Sequence, residues 1–266
     1  MESNEPPQAT LTTPTDPSRL SKVLGELGDR LCSEHHTRRV EAHEERDREI
    51  DRQNQEQEIE FRRKRLWKER GVRYQKCTLA NFEVVTTAHR LVRDALYAYH
   101  NALADNVRQG VNLVLIGPEG TGKDHLLASL FNPAISAGLS IKWTSGAVLW
   151  SRLRDGINES EAEWTIMRQY ITPDILVLSD PQPLFDRLSN YQAATLYRIV
   201  DERVNNCRVI WAAMNCADRA EADSKLSAPI VGRLTDGAVS LACDWKSYRQ
   251  PLDSRRMPAG AEYASD

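Results

Sequence analysis

The chain has 266 residues, 41% hydrophobic and 27% charged, with Lys+Arg 35 against Asp+Glu 38 for a formal net charge of −3. That length can bury a full core and carry an accessory region besides, while near-neutrality excludes a uniformly basic nucleic-acid binder and leaves room for a local basic patch. Five cysteines at irregular spacing do not form the framework of a secreted disulfide scaffold, and point to a reducing compartment.

In chain order, residues 1–19 are polar and rich in Pro and Thr, with no apolar run for a signal peptide or membrane span. They are expected to be a disordered tail on a soluble, cytoplasmic protein with no membrane partner. Residues 20–76 form a charged helical region. Leu20 to Arg73 reads as helix, with no Gly or Pro between Asp29 and Arg70. Leu31, Val40, Ile50, Ile59, Phe61, Leu66 and Trp67 give only a thin apolar stripe, that of an extended helix or helical hairpin that cannot make a core alone. Cys32, His35 and His36 have no second Cys/His pair at zinc spacing, so a metal site is not expected there. Arg62-Arg63-Lys64-Arg65 opens a basic stretch through Lys68, Arg70, Arg73 and Lys76, interleaved with Trp67 and Tyr74. Such residues neutralise a phosphate backbone and stack a base of single-stranded DNA; a solvated helix face has the same composition.

From Cys77 the pattern alternates between helix and strand, the signature of an α/β fold with a parallel sheet and crossover helices. Glu83 to Ala104 reads as an amphipathic helix. Five short apolar strands are predicted at Val111–Ile116, Leu139–Thr144, Ile175–Ser179, Arg208–Met214 and Ala238–Cys243. The main domain is placed at 77–249 and a flexible tail at 250–266. Cys207, Cys216 and Cys243 lie in or beside strands and are expected to be packed rather than reactive.

The strongest chemical signal is Gly117-Pro118-Glu119-Gly120-Thr121-Gly122-Lys123, between the strand Val111–Ile116 and the helical Asp124–Ala137. Glycines let successive backbone N–H groups turn toward a phosphate, the helix start adds partial positive charge, and Lys123 reaches the β- and γ-phosphates. One position departs from the pattern: Asp124 stands where a Ser or Thr hydroxyl ordinarily ligates Mg²⁺. The second nucleotide motif, an apolar strand ending in a carboxylate, fits Asp174–Asp180. Two alignments are open. One puts Ser179 at the metal side and Asp180 at the catalytic side; the other makes Asp180 itself the metal-side carboxylate. In the first, Asp124 and Ser179 have exchanged places and retain one carboxylate and one hydroxyl beside the metal, which takes hard oxygen ligands. The rival is a decayed site that binds nucleotide weakly and hydrolyses it slowly or not at all.

Together these motifs resemble the DnaC/IstB group of AAA+ ATPases, the helicase loaders and transposition helpers, from Lys76 to Arg249. Gly120-Thr121-Gly122-Lys123-Asp124-His125-Leu126-Leu127 is similar to the family's Gly-Thr-Gly-Lys-Thr-His-Leu-Ala, apart from the Asp. Leu196–Arg203 is similar to the helix before the sensor strand, and Val209–Asn215 to that strand. Pro229-Ile230-Val231-Gly232-Arg233-Leu234 and Asp244-Trp245-Lys246-Ser247-Tyr248-Arg249 are similar to its C-terminal segments, the Trp-x-Ser-Tyr-Arg form leaning toward the loaders. The resemblance implies a P-loop AAA+ three-layer fold with a five-stranded parallel sheet behind an N-terminal helical region. It implies ATP held by Gly117 to His125, and Mg²⁺ held by Asp124 with Ser179 or Asp180. Asp180 would polarise water, Asn215 would sense the γ-phosphate, Arg233 would serve a neighbouring subunit as arginine finger, and Arg249 would be a second trans-acting residue. The implied partners are a replicative hexameric helicase, gripped by the N-terminal helical region, single-stranded DNA, and further copies of the chain on ATP binding. An IstB-like transposition helper, or a nonhydrolysing adaptor with a degenerate nucleotide site, is the alternative.

Overall fold

The structure is a computed structural model describing residues 17–158, 162–183 and 187–249. Of the two tails expected to be disordered, only residues 17–19 fall within these bounds, where they open a helix; 250–266 lie outside the described residues. The side chains of Cys32, His35 and His36 lie outside them too. The chain divides into two units, Met1–Glu58 and Ile59–Asp266. A single helix, α1 (Pro17–Arg70), supplies the described part of the first unit, and no hairpin interrupts it. Its described side chains there are mostly exposed, including Val40 and Ile50. Pairs one turn apart hold it in their place: His43 Nδ1 to Asp47 at 2.9 Å, Arg48 to Glu44 at 3.0 Å and Arg52 to Glu49 at 2.9 Å. Each such pair adds a few tenths of a kcal/mol to a helix that buries no apolar face.

The second unit begins at Ile59, ahead of the 76/77 boundary expected from composition, because the last turns of α1 pack with it. Leu66 and Trp67 are buried there, and the Trp67 ring lies 5.6 Å from that of Phe131. Gly71, at φ 95°, ends the helix, and a single 3-10 turn, Val72–Tyr74, leads away from it. The amphipathic stretch after Glu83 forms two helices, α2 (Thr87–Asn101) and α3 (Leu103–Gln109). There follow β1 (Leu113–Ile116), α4 (Lys123–Ala128), α5 (Phe131–Ser136) and β2 (Ile141–Ser145). One helix was expected over Asp124–Ala137. Two form because Pro133 has no N–H to offer the Ser129 carbonyl and its ring crowds that position. The chain continues through α6 (Gly146–Asn158), α7 (Glu163–Ile171), β3 (Ile175–Ser179), α8 (Asn190–Asn205), β4 (Val209–Met214), α9 (Arg219–Leu226), α10 (Ala228–Thr235) and β5 (Val239–Ala242).

The five strands are all parallel, in the order β2-β3-β4-β1-β5. β3 and β4 are buried throughout, whereas β5 at the edge alternates between half-buried and exposed. One face of the sheet packs with Leu96, Phe131 and Trp211, the other with Leu149, Ile199 and Ile230. The result is the expected three-layer α/β P-loop AAA+ fold, with ligand chemistry at the carboxyl ends of the strands. No described helix is long and apolar enough to cross a membrane.

Arg203 on α8 is a fully buried charged group. Its guanidinium donates to the carbonyls of Tyr170, Ile171, Pro173, Asp174 and Val209 at 2.6–3.0 Å. Burial pushes its pKa down to about 9, which leaves it charged at neutral pH. Arg203→Met strands those carbonyls without donors, so chemical denaturation should show a loss of about 3 kcal/mol or more, of which Arg203→Lys recovers only part.

Candidate nucleotide-binding site

β1 delivers its last residue to the turn 117–122, whose shape depends on glycine. Gly120 and Gly122 sit at φ 78° and 86°, where a Cβ is disfavoured. A Cβ on Gly120 would also collide with Ser247 Oγ. Lys123 opens α4 and is buried. Its Nζ donates to the Gly117 carbonyl at 2.8 Å and the Pro118 carbonyl at 2.7 Å, with Thr121 Oγ1 at a long 3.5 Å. Burial lowers its pKa, against the pull of nearby Asp180 and Asp124. An ammonium held to the loop by two donors, with its third poorly used, fits a phosphate oxygen.

Beside it, Ser179 Oγ donates to Asp124 Oδ1 at 2.8 Å, so the hydroxyl at the end of β3 and the carboxylate at the start of α4 are neighbours. Asp180 follows at φ 47°, its N–H bonded to the Ala213 carbonyl at 2.8 Å. Burial, then the neighbouring Asp124, pushes its carboxyl above the usual range, partly offset by Lys123. The carboxylate and hydroxyl oxygens of Asp124, Ser179 and Asp180 form a hard-oxygen set of the kind Mg²⁺ takes.

Lys123, Asp124 and Asp180 line a cavity of about 390 Å³, which also takes in His125 and Asn215, the latter just beyond β4, while Ser179 is not on its walls but is bonded to Asp124. Its other walls carry residues the motif reading missed. Arg73, Tyr74, Phe82 and Glu83 come from the segment after α1, and Tyr248 from the C-terminal side. Tyr74 therefore faces the nucleotide cavity, and Trp67 lies in the core, so neither interleaved aromatic is a free platform for a DNA base. His125 Nε2 lies 3.1 Å from the Thr78 carbonyl, and its ring is 5.6 Å from Phe82.

Arg249, expected as a second trans-acting residue, lines the cavity of its own chain. The reason is a strap, 245–249, tied to the phosphate-binding loop by backbone geometry. The Tyr248 N–H donates to the Gly120 carbonyl at 2.9 Å and Trp245 Nε1 to the Thr121 carbonyl at 3.0 Å. Tyr248 OH donates to the Glu83 carbonyl at 2.6 Å, and Arg249 Nη1 lies 3.3 Å from Glu119 Oε2. Phe82, His89, Trp245 and Tyr248 pack edge-on and tilted around it, with the His89 and Trp245 rings 4.4 Å apart. The Trp-x-Ser-Tyr-Arg run was the signal for this strap, but spacing says nothing about which subunit it touches.

Arg233 on α10 is outside this cavity. Its guanidinium donates to Tyr197 OH at 2.9 and 3.2 Å, and Nη2 is 2.6 Å from Asp201 Oδ1. Cys216 and Cys243 are buried, and burial raises their thiols to about 11 and about 12, leaving them protonated and inert. Cys207, expected to be packed, is exposed at φ 51° in the turn before β4.

A family model for the IstB-like ATP binding protein matches residues 56–255. Among curated relatives, the YdaV protein of Escherichia coli (strain K12) is 26% identical over 207 residues, 76% of this chain and 78% of its own. The replicative helicase loader DnaC of Buchnera aphidicola subsp. Acyrthosiphon pisum (strain APS) is 25% identical over 185 residues, 68% of this chain and 73% of its own. Among solved structures, that of the DnaC helicase loader shares the fold with a TM-score of 0.57 and 20% identity, over 65% of this chain and 99% of that one.

The charged Asp180 carboxylate costs stability even with Lys123 nearby. The folded chain holds that proton to higher pH than the unfolded chain does, so this group's contribution falls as pH rises through the ordinary carboxylate range toward the raised folded value. Asp180→Asn removes the cost: its melting temperature at neutral pH should exceed that of the native protein, and the gap should close as pH falls below that range.

Proposed function

Since the chain belongs to the IstB-like ATP-binding protein family, we propose that it is an ATP-driven switch of the helicase-loader type. ATP at the phosphate-binding loop controls self-assembly and contact with single-stranded DNA, and the N-terminal helical region grips a replicative hexameric helicase. The observation that carries the nucleotide part is the Lys123–Asp124–Ser179 constellation, a cation with a spare donor beside a carboxylate hydrogen-bonded to a hydroxyl. The choice of helicase as partner rests on the likeness to the DnaC loader.

In this reading Lys123 neutralises charge on the β- and γ-phosphates, and Asp124 with Ser179 holds Mg²⁺, whose contribution is to offset phosphate charge. The exchange of hydroxyl and carboxylate leaves the donor set chemically unchanged. Asp180 takes the catalytic side. Burial raises its pKa and makes it a stronger base than an ordinary carboxylate, suited to orienting a water and accepting its proton. Asn215 offers an amide at the ends of the central strands. Arg233 acts in trans, since its own cavity does not include it, and so hydrolysis requires assembly. Arg249, beside Glu119 in its own chain, reads the nucleotide in cis.

Two other readings have support of their own. The family match favours an IstB-like transposition helper, and the departures at Asp124 and Ser179 favour an adaptor that binds nucleotide without hydrolysing it.

Turnover with Mg²⁺ separates them. The exchanged-ligand reading expects native turnover, a loss of about 100-fold in Asp180→Asn, losses in Asp124→Thr and in Ser179→Asp alone, and recovery in the double variant. A native chain that turns over no ATP, with activity appearing only in the double variant, overturns it in favour of decay. The acid limb of the turnover profile should lie above the ordinary carboxylate range, since Asp180 must be ionised. Pull-down with the full chain should recover a hexameric helicase; recovery of a transposase alone would sink the loader reading.

A further inference from the structure

The basic stretch has a role that the nucleotide site does not absorb. A second cavity, about 440 Å³, opens between the last turns of α1 and the start of α5, with Glu60, Arg63, Lys64, Lys68, Gln75 and Asn132 on its walls. Arg63 is fixed by two bonds, Nε to Asn132 Oδ1 at 3.2 Å and Nη1 to Glu60 Oε2 at 2.9 Å. The first bond assigns the Asn132 oxygen and leaves its amide N–H groups available as donors. Lys64 Nζ is 3.7 Å from Glu60 and 76% exposed. Lys68 makes no hydrogen bond or ion pair among the described residues. Three cations thus face one carboxylate, and the surplus is positive.

We infer that this cleft binds the phosphate backbone of single-stranded nucleic acid, an assignment that rests on the single-stranded DNA contact proposed above and names its residues. Lys64 and Lys68 are four residues apart on one helical face, about 6 Å along the axis. Charges repeated along a line suit a ladder of phosphates better than a lone anion. The amides of Gln75 and Asn132 are donors of the kind that meet phosphate oxygens. Trp67, the aromatic ring among the lining residues, is at the floor but buried against Phe131, so it does not stack a base and the cleft itself meets the backbone. An acidic peptide is the poorer fit, because Val72 is the one accessible apolar side chain of the lining, too little to read a peptide's side chains, whereas the two lysines a helical turn apart suit successive phosphates.

The test is binding of a fluorescent oligothymidylate to the full chain across a salt series. Lys64→Gln/Lys68→Gln should reduce the steepness of log K against log salt by about 1.4, two phosphate contacts at about 0.7 each. ATP affinity should be unchanged, since neither lysine lines the nucleotide cavity. Arg90→Gln/Arg108→Gln, which removes the same charge from α2 and α3, should leave the slope alone. An unchanged slope in the lysine double variant, or the same change in the control, overturns the cleft while leaving single-stranded DNA contact standing. A native chain that binds no oligonucleotide overturns both. Equal binding of a polyglutamate peptide, lost in the same lysine variant, shows a general anion surface and overturns the nucleic-acid assignment.

Discussion

The geometry of the nucleotide site depends on a guanidinium at the opposite end of the strands. Arg203 gathers the carbonyls at the end of α7, in the turn into β3 and at the start of β4. It thereby fixes where two neighbouring strands begin. Their parallel register, Ile175 beside Val209 and Ser179 beside Ala213, carries that alignment to the far end. There β3 hands over Ser179 and Asp180, and β4 hands over Asn215. Strands this short have little room to absorb an error in their starting point, so a bracket made wholly of charge–dipole bonds sets the spacing of the groups that face the ligand.

At the site itself, burial works on both signs of charge. It weakens Lys123 as a cation and Asp180 as an anion, and each is the other's principal support. Asp124 then works against Asp180. A cavity with this balance is electrically incomplete: two carboxylates crowd an ammonium not fully used, with the guanidinium groups of Arg73 and Arg249 on the outer walls. A bound polyphosphate with a divalent cation adds charge of both signs and completes both sets of contacts. The strap over the loop has no such tension. It is held by backbone and ring contacts, and so serves as a fixed wall.

Much of this was legible in the residues because it is local. Apolar runs placed all five strands to within a few residues, and Gly120, Gly122 and Lys123 declared the loop between β1 and α4. Pro133 also carried the break between α4 and α5, though a continuous helical pattern masked it. What spacing could not reveal were contacts between segments remote in sequence. Tyr248 reaches Glu83, and Trp67 reaches Phe131. Nothing local to the Trp-x-Ser-Tyr-Arg run distinguishes a strap on its own loop from an arm for a neighbour. Likewise an aromatic among arginines has the same sequence whether its ring faces solvent or the core. The compact unit begins at Ile59 for the same reason: composition changes near Cys77, but packing starts where Leu66 and Trp67 turn inward.

The 3-10 turn Val72–Tyr74 is a party wall. Val72, with Gln75 just beyond the turn, borders the basic cleft, while Arg73 and Tyr74 border the nucleotide cavity. Consecutive residues on so tight a turn cannot rearrange on one side alone. Free energy spent ordering the turn for one ligand need not be spent again for the other, and any such coupling is reciprocal. Gly71 supplies the backbone freedom at the upstream end of that wall. Replacing it with a residue that resists φ 95° would therefore act on two affinities at once, although Gly71 lines neither cavity.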